Sequence, residues 1–344
     1  GLDLNHKNII FIDEIQYLDD FSKFIKIIVD HYSDSIKLFL SGSSALQIKQ
    51  GFKDSLAGRK YVFHLFPLTF KEFLRFKGKD LLSDKLISPF YEWKSDELKF
   101  SRDELLALIN EFVIFGGYPE VPKINVISQK IKYLFEIVNS YIVKDIRTIF
   151  TIEKIDKFNH LIRYLAANFT NLASINSISN EIGLFKDTIE NYVNILEDSF
   201  IIKRIPPYYK NKSTELKRTQ KVFLLDNGIR NALIENFNSL DLRADSGALK
   251  ENYAFTQLYK AKSEVESLNF WRTIKSQEVD FILTKQSLLF PLEVKSSVQK
   301  VQKTINHLKL FMNEYNCNRG YLLSFKDEFG IKDNVTILPP YLLN

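Results

Sequence analysis

The sequence predicts an α/β multidomain protein, and three observations carry that prediction. Two runs, Ile9 to Ile12 leading into acids and Ile36 to Ala45 ending in small hydroxyl residues, flank an amphipathic stretch. A long middle region places its apolar residues at helical spacing. Two later runs, Glu278 to Leu283 and Leu288 to Lys295, read as a β-hairpin joined by a short polar turn. With 344 residues, 45% hydrophobic content and 29 Phe, the chain has core material for about two to four domains.

In IIFIDEIQ, Ile9 to Gln16, four consecutive apolar residues run into Asp13 and Glu14. Such a run reads as a buried parallel strand whose carboxyl end delivers two acids to a topological switch point. That is the form of a Walker B motif, in which Asp13 would help hold Mg²⁺ and Glu14 would orient the attacking water. The simpler reading is a strand end followed by a helix cap, where acids are common. Phe21, Phe24, Ile25, Ile28, Val29 and Tyr32 then repeat at helical spacing, and Ile36 to Ala45 gives a second strand. Strand, helix and strand form a βαβ unit whose strand ends share one crevice, with Ser43 and Ser44 at the sensor position. A phosphate-binding G-x-x-x-x-G-K-[ST] loop should lie upstream, but only eight residues precede Ile9 and Gly78-Lys79 lacks the required glycine offset. The chain therefore reads as a fragment carrying half an ATP site.

FIDEIQ, LSGSSA, SLAGR (Ser55 to Arg59) and FPLTFKEFL (Phe66 to Leu74) follow one another in this order. So do GGYPEVP (Gly116 to Pro122) and LEDSFIIKRIPPY (Leu196 to Tyr208). Together they resemble the prokaryotic AAA-type P-loop ATPases that carry a long C-terminal region of unassigned function. The resemblance implies ATP- and Mg²⁺-dependent switching by the complete protein, and a partial AAA-type core in this chain. It also makes Arg59 similar to the arginine that stabilises phosphate charge.

No apolar run approaches the roughly 18 to 20 residues that span a bilayer, so no membrane association is expected and the predicted compartment is cytoplasmic. The single Cys317 excludes an internal disulfide framework and fits a reducing compartment. His6, His31, His64, His160 and His307 form no metal-spaced pair. The net charge of +5 is concentrated: Lys203, Arg204, Lys210, Lys212, Lys217, Arg218 and Lys221 face Glu215 alone, and Lys295, Lys300, Lys303 and Lys309 follow. Basic runs attract nucleic-acid phosphate and are also ordinary solvated surface.

The expected domains are 1–75, a partial ATPase core; 76–150, a helical lid; 151–240, a winged helix-turn-helix; and 241–344, a nuclease-like α/β domain. Helices are predicted over Lys71 to Phe76, Arg102 to Phe115 and Val126 to Phe150, with Gly116-Gly117 as a turn. Tyr141, Lys144, Asp145 and Arg147 could couple the lid to a neighbour or simply form a helix face. Ile155, Phe158, Ile162 and Leu165 give a further helix, Ser177 caps a short one ending at Gly183, and Ile189 to Leu196 gives a third. Ile201-Ile202 and Val222 to Leu225 then supply two strands, the order of a winged helix. The third helix presents Lys186, Asp187, Glu190, Asn191 and Asn194, a polar face that suits packing as well as DNA reading.

The last hundred residues carry a second chemistry. Glu251 sits at helical spacing with Ala254, Phe255 and Leu258, and period-two alternation puts Glu293 and Lys295 on one face of their strand. Asp280, then Glu293-Val294-Lys295, after a helix bearing Glu251, resembles the PD-(D/E)XK nuclease superfamily, with Val279 in place of the proline. The resemblance implies Mg²⁺ or Mn²⁺ held by Glu251, Asp280 and Glu293, and Lys295 as the catalytic base or charge stabiliser. The alternative is a retained fold whose acids and lysine pair internally. The functional expectation is an AAA-type ATPase switch coupled to a nucleic-acid-binding, nuclease-like region, acting as a homo-oligomer or with a partner protein. A DNA-binding regulator with an inert nuclease-like domain and a nucleotide-controlled scaffold are the alternatives.

Overall fold

A computed structural model of the chain describes residues 3, 5–42, 58–86, 88–92, 101–140, 146, 150, 152–216, 218–296, 301–326 and 329–343. The chain divides into two compact units, Gly1–Leu65 with Val193–Ile201, and Phe66–Tyr192 with Ile202–Asn344. Its mixed helices and sheets are those of an α/β protein.

The first unit holds β1 (Asn8–Ile12), α1 (Phe21–Tyr32) and β2 (Ile36–Leu40). The two strands pair in parallel, Ile10 opposite Leu38 and Ile12 opposite Leu40. Helix α1 buries Ile25 against Ile15 and sets Phe21 and Val29 beside Ile12, Leu38 and Leu40. The apolar run had suggested a strand buried on both faces, but Phe11 is 75% exposed and stacks on Phe39 with ring centroids 5.0 Å apart. The reason is that α1 covers only one side of the pair.

The second unit begins with α2 (Phe70–Phe76), started by a capping box in which Thr69 and Glu72 satisfy each other's backbone N–H. Helices α3 (Asp80–Lys85), α4 (Arg102–Phe115) and α5 (Ile127–Ile137) follow. Tyr141, Lys144, Asp145 and Arg147 lie outside the described residues. Next come α6 (Ile155–Ala167), α7 (Ile175–Ile182) and α8 (Lys186–Asp198), the last grouped with this unit only as far as Tyr192, then an antiparallel pair of β3 (Ile202–Ile205) and β4 (Lys221–Leu224). The short helix α9 (Lys212–Leu216) interrupts the loop between these strands. The cap of α7 is Ser174, whose hydroxyl accepts from the Ser177 N–H, and not Ser177 itself. Gly183 ends α7 in the left-handed conformation, as its place in the sequence suggested.

Helices α10 (Asn227–Leu233) and α11 (Ser246–Ala261) lead into a six-stranded sheet. Its strands are β5 (Ser267–Arg272), β6 (Glu278–Lys285), β7 (Leu288–Lys295), β8 (Gly320–Ser324), β9 (Gly330–Lys332) and β10 (Val335–Leu338), in the order β5-β6-β7-β8-β10-β9. β6 and β7 are the antiparallel hairpin read from the sequence, while β7 and β8 are parallel and joined through α12 (Val301–Tyr315). Ile305, Leu308, Phe311 and Met312 of α12 pack on Val279, Ile282, Leu322 and Val335 of the sheet. Phe255 of α11 stacks on Phe223 of β4 at 4.4 Å, and Phe223 meets Phe281 of β6.

Segments far apart in sequence meet within this second unit. Asp226 caps α10 by accepting from the Ile229 N–H, and its other oxygen accepts from the Gly117 N–H at 2.7 Å. A side chain at Gly116 would meet that carboxylate at 2.1 Å, which explains a glycine there independently of its φ of 75°. The Phe70 N–H donates to Gln257 of α11 at 2.7 Å, fastening α2 to the C-terminal region.

Candidate functional site

Two groups of acids anticipated from the sequence lie in the two units. In the first, β1 ends at Ile12 and Asp13 emerges exposed. Backbone pairing continues one residue past β2, since the Ser41 N–H donates to Ile12 O at 2.9 Å and the Ile15 N–H to Ser41 O at 3.0 Å. This brings the Ser41 hydroxyl to the Asp13 carboxylate, to which it donates a hydrogen bond. Asp13 also accepts from the Glu14 N–H at 3.1 Å. Glu14 adopts φ 51°, ψ 50°, a left-handed conformation uncommon for a residue with a side chain, and its carboxylate accepts from Gln16.

Ser41 is the described hydroxyl beside Asp13; Ser43 and Ser44, placed at the sensor position from the sequence, lie outside the described residues. Arg59 forms an ion pair with Asp30 of α1. An exposed carboxylate at a strand end, oriented by a hydroxyl from the neighbouring strand, suits a hydrated Mg²⁺ with few protein ligands.

The second group forms around the start of the β6–β7 hairpin. Beyond the pair Phe281 and Leu292, side chains take over from the backbone ladder. The Asp280 N–H donates to Glu293 Oε2 at 3.1 Å, and the Val294 N–H donates to Asp280 Oδ2 at 2.8 Å. Lys295 Nζ donates to Glu293 Oε1 at 2.7 Å, as two residues on one strand face should. Glu251, carried on α11, is reached by Lys221 Nζ at 2.9 Å, and the same ammonium pairs with Glu278. Arg272 Nη1 lies 3.5 Å from the other Glu278 oxygen. Asp280 and Glu293 are buried, and the Lys295 side chain is more open than either.

Burial and the neighbouring Asp280 charge push Glu251 up to about 7 and Glu293 up to about 8, against the opposing pull of Lys221 and Lys295 respectively. Burial disfavours the charge of Lys221, yet Glu251, Asp280 and Glu278 outweigh it and hold the ammonium protonated well above its ordinary range. The same balance, with Asp280 and Glu293 opposing burial, raises Lys295. The cluster thus has more carboxylates than lysines, and the surplus is felt by the acids. Among the described residues no three His, Cys, Asp or Glu side chains are arranged to hold a metal ion.

The structure therefore brings together Glu251, Asp280, Glu293 and Lys295, and adds Lys221 and Glu278. Lys221 had been counted in a basic surface run, but its side chain is only 5% exposed. No signal in the sequence singles it out from the rest of that run. The rest of the run is also partly engaged, with Arg204 on Glu190 at 2.6 Å. Lys309 of the later run pairs with Asp333 at 3.0 Å. No described helix is long and apolar enough to cross a membrane.

Comparison with known proteins follows the same division. Residues 2–74 match the AAA domain, residues 106–240 a Domain of unknown function (DUF8612), and residues 246–343 a Domain of unknown function (DUF4143). An uncharacterized protein of Methanocaldococcus jannaschii is 29% identical over 321 residues, covering 89% of this chain and 67% of that protein. An uncharacterized protein of Haemophilus influenzae is 25% identical over 288 residues, covering 82% of this chain and 64% of its own length. A second M. jannaschii protein, also uncharacterized, is 25% identical over 355 residues, with 98% and 71% covered. The chain spans about two thirds of the length of these curated relatives. Its first segment is similar to the AAA domain, which suggests an ATPase-type, nucleotide-binding function, and its last to the DUF4143 domain.

Proposed function

We propose that this chain belongs to an ATP-dependent switch in which Asp13 holds the Mg²⁺ of a bound ATP, Glu14 orients the attacking water, and Ser41 fixes the Asp13 carboxylate. The observation that carries this reading is the Asp13–Ser41 contact at the ends of two parallel strands, within the segment similar to the AAA domain. Bound Mg·ATP would supply the polarised phosphate; the chain supplies orientation. Arg59 would have to leave Asp30 to reach phosphate.

The switch would govern a nucleic-acid-binding region. Helices α6, α7 and α8 followed by the β3–β4 hairpin have the order of a winged helix, and Lys186, Asn191 and Asn194 of α8 are exposed. Phe185, 81% exposed beside the start of α8, adds an apolar contact to that face. The six-stranded sheet with α11 supports a nuclease-like fold, and the pairing of Lys221 with Glu251 and Glu278 favours the inert form over the cleaving one.

The ATPase reading is tested on protein extended upstream to include a phosphate-binding loop. Glu14→Gln should retain Mg·ATP and lose turnover; equal hydrolysis by wild type and variant would refute the role of Glu14. The nucleic-acid reading is tested by anisotropy of labelled duplex DNA across a salt series. Affinity should fall as salt rises, and absence of binding at low salt would leave an interaction scaffold.

A further inference from the structure

We propose that Lys221 is the resident cation of the acidic cluster, and that its ammonium group takes the Glu251 oxygen that the nuclease-like reading would give to a divalent metal ion. The inference deepens the inert nuclease-like reading and rests on it. Lys221 Nζ contacts Glu251 and Glu278, from α11 and the start of β6, and lies 5.5 Å from the centre of the Phe270 ring. It thus fastens the β3–β4 hairpin to both the helix and the sheet.

The backbone shows that this is a fixed occupant. Lys221 pairs with Ile205 across β3–β4 and, on its other edge, bridges to Leu172. Around it the Thr170 N–H donates to Val222 O at 2.7 Å, the Val222 N–H to Asn171 O at 3.2 Å, and the Ala173 N–H to Gln220 O at 2.9 Å. Withdrawing the ammonium by moving β4 would break pairing on two edges at once.

Four of the six oxygens that the nuclease resemblance assigns to a metal also accept hydrogen bonds from protein groups. Glu293 uses one on Lys295 and one on the Asp280 N–H, Asp280 uses Oδ2 on the Val294 N–H, and Glu251 uses Oε1 on Lys221. Mg²⁺ needs near-octahedral oxygen ligands at about 2.0–2.1 Å. A divalent ion placed here would compete with two ammonium groups for the same lone pairs. The donor set therefore does not fit a metal while Lys221 is in place, and the cluster acts as a clasp holding hairpin, helix and sheet together.

The test is a Mn²⁺ titration of the whole chain, followed by the electron spin resonance of free Mn²⁺, on wild type, Lys221→Met and Lys221→Met/Glu278→Gln. Wild type should show no saturable binding that depends on Glu293 up to ~1 mM, the weak end of protein divalent-ion sites. Lys221→Met removes the charge while keeping an unbranched side chain, and should tighten Mn²⁺ binding on the order of tenfold or more. Glu293→Gln in that background should abolish the gain. If Lys221→Met does not fold, the double variant, which removes one carboxylate with the ammonium, should show the same gain. Saturable wild-type binding that Glu293→Gln removes would overturn the proposal, as would a folded Lys221 variant with no gain. DNA binding measured separately on wild type tests the nucleic-acid reading, so its absence sinks that reading and leaves the Mn²⁺ result standing.

Discussion

The acids at the β1–β2 strand ends and those at the β6–β7 hairpin illustrate opposite uses of carboxylate. Asp13 is exposed and meets a neutral hydroxyl, so its charge is solvated and available to a cation. Asp280 and Glu293 are buried, hydrogen-bonded to each other's strands, and flanked by ammonium groups. A carboxylate removed from water must be paired or protonated, whereas one at an exposed strand end can wait for a ligand. The first arrangement suits chemistry and the second suits fastening.

The largest effect that separates the two regions is on stability. Lys221→Ala leaves Glu251 and Glu278 without their ammonium and should cost about 3–5 kcal/mol in chemical denaturation. A loss below about 1 kcal/mol would show that the cluster is not a clasp. Combining Lys221→Met with Glu251→Gln removes both charges of one pair, so the double variant should be more stable than the sum of the single losses predicts. Additive losses would deny the coupling.

The pH dependence sharpens the contrast. Glu251 and Glu293 ionise near about 4.3 in an unfolded chain, and at about 7 and about 8 when folded. Between those limits the folded protein binds more protons than the unfolded, so their contribution is fully present below about 4.3 and is lost as pH rises through 7 and 8. Glu293→Gln should flatten the fall in melting temperature between pH 5 and 8, and an unchanged slope would contradict the burial of that acid. Effects at the other region should be small: Ser41→Ala should cost about 1 kcal/mol or less, and Arg59→Ala, at a partly exposed pair, about 0.5 kcal/mol. A loss of several kcal/mol from either would make the strand ends structural as well.

The legibility of these features in the sequence depended on how local their causes were. The strand LLFPLEVK was read to its observed limits because alternation and turn residues are local signals, and the Glu293–Lys295 contact followed from period two. The IDE strand end was equally plain, while Ser43 and Ser44, read at the sensor position, lie outside the described residues. β2 stops at Leu40, so Ser41 is the described hydroxyl that reaches Asp13. Lys221 was illegible for a different reason. Nothing in a run of lysines and arginines distinguishes the one whose strand pairs on two edges and carries it into a cluster formed by residues 30 and 57 positions later. Gly116 was read as a turn, while its contact with Asp226, 110 positions away, required the fold.

The most direct test of the division of labour is steady-state Mg·ATP hydrolysis by the upstream-extended protein, comparing Glu14→Gln with Glu293→Gln at equal folded concentration. Turnover should fall on the order of a hundredfold or more in Glu14→Gln, the range for loss of a group acting on the reacting water, and should stay at the wild-type level in Glu293→Gln. Unchanged turnover in Glu14→Gln, or a comparable loss in Glu293→Gln, would contradict the assignment of chemistry to the strand ends and fastening to the hairpin.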